Sequence, residues 1–82
     1  MKPRTFMSTD WIEVHNHGSV YMAKVFLTDD DRAYMVTVQN GKKRFFKVDA
    51  GLLKLGELRF FEKVMENAEE LLQNQFIKIG LI

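Results

Sequence analysis

The sequence predicts an α+β domain in which a four-stranded antiparallel β-meander is covered on one face by a C-terminal amphipathic helix. Residues 11–48 alternate with a period of two and are interrupted by the turn compositions NHG, TDDD and QNG. Residues 57–75 then change to a helical period with one broad apolar stripe. A chain of 82 residues has room for one modest core, so we expect residues 1–82 to form one domain.

The punctuation places four strands, at Trp11–His15, Val20–Leu27, Ala33–Val38 and Lys43–Val48. Turn length then sets which residues face each other. A two-residue His17-Gly18 turn is expected in the first hairpin, although a three-residue turn is left open there. We expect a four-residue loop at TDDD, which sets Val25 beside Tyr34. In the last hairpin we expect a three-residue loop, residues 39–41, with Gly41 left-handed.

This register divides the sheet into two faces. The face predicted to form the core carries Ile12, Val14, Tyr21, Ala23, Val25, Leu27, Tyr34, Val36, Val38, Phe46 and Val48. The opposite face carries Trp11, Glu13, His15, Val20, Met22, Lys24, Phe26, Met35, Thr37, Lys43, Phe45 and Lys47. The second set is too rich in aromatic and methionine side chains for a surface that meets only water.

The helix is predicted from Glu57 to about Gln75. Its apolar stripe contains Leu58, Phe60, Phe61, Val64, Met65, Ala68, Leu71 and Leu72 and is expected to pack on the core face. After the helix, the segment FIKIGLI has strand composition. We expect it either to add a short fifth strand or to dock on a partner chain, because a free apolar tail favours aggregation.

Composition excludes several classes of protein. The absence of cysteine excludes disulfides and thiolate chemistry, and it agrees with a reducing compartment, for which the cytoplasm is the expected location. No run of residues approaches the ~20 apolar residues of a membrane span, so no membrane association is expected. The net charge is +1, but residues 1–55 carry +3 and residues 56–82 carry −2. The two parts should therefore attract different partners.

No catalytic or metal-binding pattern is found. His15 and His17 have a spacing that suits two metal ligands, but zinc needs three or four, and Asp29–Asp31 belong to a different hairpin. The DDDR run lacks the spacing and glycine of a calcium loop. Phosphate-binding glycine loops and nucleophile motifs are absent from the sequence. We therefore expect a protein that is not an enzyme, with no catalytic residues, no metal and no cofactor.

The GKKRFFKV segment contains the last predicted strand and places side chains on the second face of the sheet. Two adjacent phenylalanines in a strand point to opposite faces, so Phe45 must lie outside the core if Phe46 lies inside. Bases of single-stranded nucleic acid stack on exposed rings, and lysines neutralise phosphates. The predicted nucleic-acid-binding residues are the basic side chains and rings in and around this face, namely Trp11, Lys24, Phe26, Lys42, Lys43, Arg44, Phe45 and Lys47.

A second function is left open by the same residues. A face rich in aromatic and methionine side chains can equally bury itself in a homodimer or bind another protein. The alternative is a protein-interaction or inhibitory factor, of the kind that mobile elements encode. Under either function, we expect a homodimer whose partner is single-stranded nucleic acid or a protein.

One part of the sequence has a basic strand that leads through a short connector into an amphipathic helix, KKRFFKVDAGLLKLGELRFFEKVMENAEELL. This order of elements resembles one known class. This class is the strand-meander-plus-helix fold of the Pur-alpha repeats and the transcriptional positive cofactors, which bind single strands on an exposed sheet face. The resemblance implies contact roles for Lys43, Phe45 and Lys47, and a dimer role for the helix that begins near Glu57.

Overall fold

The computed structural model describes residues 4–49 and 53–80. It confirms an α+β fold with an antiparallel sheet and C-terminal helices on one face. The strands are β1 (Thr5–Ser8), β2 (Ile12–Asn16), β3 (Ser19–Thr28), β4 (Ala33–Gln39) and β5 (Lys42–Val48), and the helices are α1 (Leu55–Glu66) and α2 (Glu70–Lys78). None of the helices in the described ranges is long and apolar enough to cross a bilayer.

The sheet is a meander whose first edge is made of two short strands. Both β1 and β2 pair with β3, β1 with its C-terminal part and β2 with its N-terminal part, while β4 pairs along the other edge of β3 and is followed by β5. Thr9 bridges the break between β1 and β2, because its N–H donates to the carbonyl of Val25 and its hydroxyl accepts from the N–H of Val25. The fifth strand therefore comes from the N-terminal segment.

The first hairpin has the predicted two-residue turn. Asn16 pairs with Ser19, and both His17 and Gly18 have positive φ, as type I′ turns require. This turn brings Ile12 opposite Ala23 and Val14 opposite Tyr21, on the core face as predicted.

The predicted register of β4 is wrong. Its last turn is the two-residue type I′ turn Asn40-Gly41, with φ of 50° and 76°, where three residues were expected. The preceding connection is also one residue shorter than expected, because the backbone pairs Thr28 with Arg32 and Asp31 takes a φ of 62°. A shift of one residue turns every side chain of a strand to the other face. The first shift, between β3 and β4, therefore exchanges the faces of β4, and the second, between β4 and β5, restores the predicted faces of β5.

The exchange moves five side chains. Met35 is 1% exposed and Thr37 is 7% exposed, and both lie on the helix-covered face, although they were predicted on the other face. Tyr34, Val36 and Val38, which were predicted in the core, lie half-buried on the face without helices. We call that face the open face.

The core lies between the sheet and the two helices. From α1, Phe60, Phe61, Val64 and Met65 are buried against the sheet, and the ring of Phe60 meets Tyr21 edge to face at 5.3 Å. The ring of Phe76 in α2 meets Phe61 in the same geometry at 5.6 Å. Aromatic pairs of this kind add to the stabilisation from buried apolar area.

The predicted single helix is broken near Asn67. The Gln73 amide donates to the carbonyls of Met65 and Ala68, at 2.7 and 3.0 Å, and the Met65 carbonyl also accepts from the Ala68 N–H, so acceptors at the break are satisfied. The second helix turns Leu72 and Phe76 inward and leaves Leu71 exposed, contrary to the prediction that Leu71 faces the core. Residues 76–78, the start of FIKIGLI, belong to α2, and residues 81–82 lie outside the described residues.

Candidate functional site

The two phenylalanines of β5 lie on opposite faces of the sheet. Phe45 is 61% exposed on the open face, whereas Phe46 packs on the hydrophobic core under the helices. Two lysines of β5, Lys43 and Lys47, alternate with Phe45 and therefore share its face. The open face thus carries an uncovered ring between two cations.

Three rings from three adjacent strands form a cluster on the open face, which we call the aromatic triad. Phe26 of β3 and Tyr34 of β4 have ring centroids 5.4 Å apart and are nearly parallel, and Phe45 lies 5.3 Å from Tyr34 and 6.0 Å from Phe26. Phe26 and Phe45 were predicted at this site. Tyr34 was assigned to the core, and the Asn40-Gly41 dipeptide was the signal that could have placed it here.

Lysines surround the aromatic triad. Lys47 pairs across the strands with Tyr34, and Lys24 pairs with Val36, which in turn pairs with Phe45. Lys43 lies one step further along β5 from Phe45, toward the hairpin end. One carboxylate, Glu13 on β2, lies on the same face and contacts His15 at 3.5 Å. The open face is therefore basic near the rings.

Two predicted contact residues lie on the other side of the sheet. Arg44 pairs with Thr37 and shares its face, and its guanidinium lies 5.0 Å from the ring centroid of Phe46 in a cation–π contact. Lys42 has the same parity as Arg44, at the end of the hairpin. We correct the predicted patch accordingly, because the alternation that exposes Phe45 turns both of these residues to the helix-covered face.

Trp11 lies at the break between β1 and β2 and is 45% exposed. It precedes Ile12, which faces the core opposite Ala23, so continuing this register places Trp11 on the open face near Lys24. It is therefore an edge residue of the surface and lies outside the triad. Phe6 of β1 is as exposed as Phe45 and was not predicted as part of any site.

The hairpin end of the open face is aliphatic. Met22 pairs with Val38, and Val20 and Val36 lie close by in the same strands. Val20 and Met22 are exposed, while Val36 and Val38 are half-buried. These aliphatic side chains form a strip between Glu13, which pairs with Met22, and Lys43, which pairs with Val38.

The residues considered for metal binding are not assembled into a site. His15 and His17 flank the first hairpin turn, and the aspartates at 29–31 lie in the connection between β3 and β4. Within residues 4–49 and 53–80, no group of three or more histidine, aspartate or glutamate side chains is placed to hold a metal ion.

Comparison of the chain with protein-family models, with curated proteins and with solved structures found no match.

Proposed function

We propose that the protein binds single-stranded nucleic acid on the open face of its sheet. The observation that carries the proposal is the aromatic triad, with Phe45 61% exposed and lysines on adjacent positions. Rings flanked by cations are what proteins use to bind single strands without strong sequence preference. In the fold class that the sequence resembles, an exposed sheet face has the same role.

The spacing of the rings indicates how a base would bind. The three centroids are 5.3–6.0 Å apart, so the rings contact one another and leave no room for a base between them. A base would instead stack on the exposed side of Phe45. Phe26 and Tyr34 would hold that ring in place and so lower the entropy lost on binding. One such stack contributes ~1–3 kcal/mol.

The charges predict a measurable salt dependence. Lys24, Lys43 and Lys47 are the lysines on the open face near the rings. If each neutralises one phosphate, the logarithm of the association constant should fall with the logarithm of salt concentration with a slope of about −2, at roughly −0.7 for each phosphate of a single strand. Binding should therefore be modest in affinity and should weaken as salt is raised.

The aliphatic end of the open face supports a second candidate. Val20, Met22 and Val38 offer apolar area that nucleic acid does not need, and such area is typical of protein interfaces. A protein partner or a second copy of the chain would cover both ends of the face.

A matched pair of variants tests the first proposal against the second. Phe45→Ala removes the central ring, and Phe6→Ala removes an equally exposed ring from β1, outside the triad. With fluorescein-labelled oligothymidine, we expect Phe45→Ala to weaken binding about tenfold and Phe6→Ala to change it less than twofold.

Two results would contradict nucleic-acid binding. One is an affinity for the oligonucleotide that does not change with salt concentration, or an equal loss of affinity in Phe45→Ala and Phe6→Ala. The other is no binding to the oligonucleotide together with a concentration-dependent dimer in sedimentation that Phe45→Ala abolishes. The second result would favour the protein interface.

A further inference from the structure

The helix-covered side of the sheet contains a cleft that the proposed function does not use. It lies between α1 and strands β3 to β5 and has a volume of about 160 Å³. This is smaller than the roughly 300–1,000 Å³ of pockets for drug-sized ligands, so it suits a single ring system. The rings of Tyr21, Phe46 and Phe60 line the cleft, and the buried Met35 lies beneath them. Tyr21 and Phe60 contact each other edge to face at 5.3 Å, and Arg44 lies over the ring of Phe46, so a flat ligand would lie against these rings and the guanidinium and would not insert between two rings.

Two opposite charges line this cleft without pairing with each other. Arg44 lies over the ring of Phe46, and among the described residues its guanidinium has no carboxylate partner. Glu57 lines the cleft from the first turn of α1, where one of its oxygens accepts a long hydrogen bond of 3.3 Å from the N–H of Lys54. Because both side chains line the cleft, each charge can bind a ligand that lies against its aromatic lining.

We propose that this cleft binds a guanine base. Guanine has two adjacent donors, N1–H and the N2 amino group, which match the two oxygens of a carboxylate such as Glu57. It also has two acceptors, O6 and N7, which match the fork of a guanidinium such as Arg44. Adenine offers a carboxylate only its N6 amino group. The charges in the cleft thus favour guanine, and the aromatic lining supplies apolar contact that any base would share.

Two polar residues of the cleft lining can also donate hydrogen bonds. The Asn16 side-chain oxygen accepts from the Lys63 ammonium at 3.1 Å, so its amide N–H₂ remains a donor. Thr37, whose side chain carries a hydroxyl, also lines the cleft. The site lies on the opposite side of the sheet from Phe45, so this proposal does not depend on nucleic-acid binding by the open face.

The test uses three nucleotides that differ only in the base edge. Guanosine, inosine and adenosine 5′-monophosphates share their ribose and phosphate, and inosine lacks only the N2 amino group of guanosine. Each nucleotide is added to the full chain, and ¹H–¹⁵N and aromatic ¹H–¹³C spectra are recorded. We expect the signals of Phe46, Gly56 and Glu57 to shift. Guanosine monophosphate should bind about ten- to a hundredfold more tightly than adenosine monophosphate, with inosine monophosphate between them.

Matched variants assign the effect to the cleft. Glu57→Gln keeps an oxygen that can accept from the Lys54 N–H, and it should weaken guanosine monophosphate binding about tenfold. Glu62→Gln, on an exposed position of the same helix, should have no effect. Arg44→Gln should weaken the guanosine and inosine nucleotides alike. Phe6→Ala, which removes an exposed ring of β1 that lies in neither proposed site, should leave nucleotide binding unchanged.

The base could come from a free nucleotide or from a strand. A thymidine nonamer with one central guanine, compared with the all-thymidine nonamer, tests the second source. Shifts at Phe46 and Gly56 caused by the monophosphate support the proposal with a free nucleotide, and shifts caused only by the guanine-containing nonamer support it with a strand. Absence of both shifts, equal affinity for the adenosine nucleotide, or equal behaviour of the Glu57 and Glu62 variants would overturn it.

Discussion

Alanine substitution at two neighbouring residues of β4 tests which face of that strand lies in the core. Met35 is 1% exposed under the helices, and Val36 is half-buried on the open face. Deleting a buried methionine side chain costs ~2–5 kcal/mol, because apolar contacts are lost and a cavity remains. We expect Val36→Ala to cost less, ~1 kcal/mol, because Val36 keeps part of its area in contact with water and the change removes fewer carbon atoms than Met35→Ala does.

These losses are large relative to the stability of the whole chain. A domain of 82 residues has a free energy of unfolding of ~4–12 kcal/mol. At ~4–8 °C for each kcal/mol, a loss of ~3 kcal/mol from Met35→Ala lowers Tm by ~12–24 °C. Urea titration followed by far-ultraviolet circular dichroism measures both variants. A greater loss of stability for Val36→Ala than for Met35→Ala would refute the observed register of β4 and would support the register predicted from the sequence.

Three further substitutions test local features. Thr9→Val removes the hydroxyl that accepts from the buried Val25 N–H at 3.0 Å, and it should cost ~1–3 kcal/mol in urea titration, whereas Thr9→Ser should restore most of the loss. Gly56→Ala should raise stability by ~0.5–1 kcal/mol, because a Cβ there meets nothing within 4 Å and alanine favours helix. Gly41→Ala, at a φ of +76°, should instead cost ~1–2 kcal/mol, and a stabilised variant would contradict the type I′ turn.

The strands could be predicted from the sequence, but the faces of β4 could not be predicted from hydrophobicity. Both faces of AYMVTVQ are apolar, since Tyr34, Val36 and Val38 oppose Ala33 and Met35. Counting apolar residues therefore selects the wrong face. The dipeptide Asn40-Gly41 favours a two-residue type I′ turn, and giving that local preference more weight than face composition would have assigned the register of the last hairpin correctly.

The helix break and the first strand depend on contacts that local patterns do not contain. No glycine or proline marks the change of direction at Asn67, and the Gln73 side chain that satisfies the freed carbonyls comes from the second helix. Likewise β1 is short and is held through β3 and the Thr9 contacts. Of the candidate site, the exposure of Phe45 could be predicted because alternation in a strand fixes it. The position of Tyr34 depended on the register of β4.

The most direct test of binding on the open face compares two adjacent rings in one experiment. Aromatic ¹H–¹³C spectra of the full chain, recorded while unlabelled oligothymidine is added at low salt, report Phe45 and Phe46 separately. We expect the signals of Phe45 and Tyr34 to shift as a base stacks on the triad, while those of Phe46 and Phe60 stay in place. Shifts at Phe46 with none at Phe45, or no shift at either ring, would contradict the proposed interface.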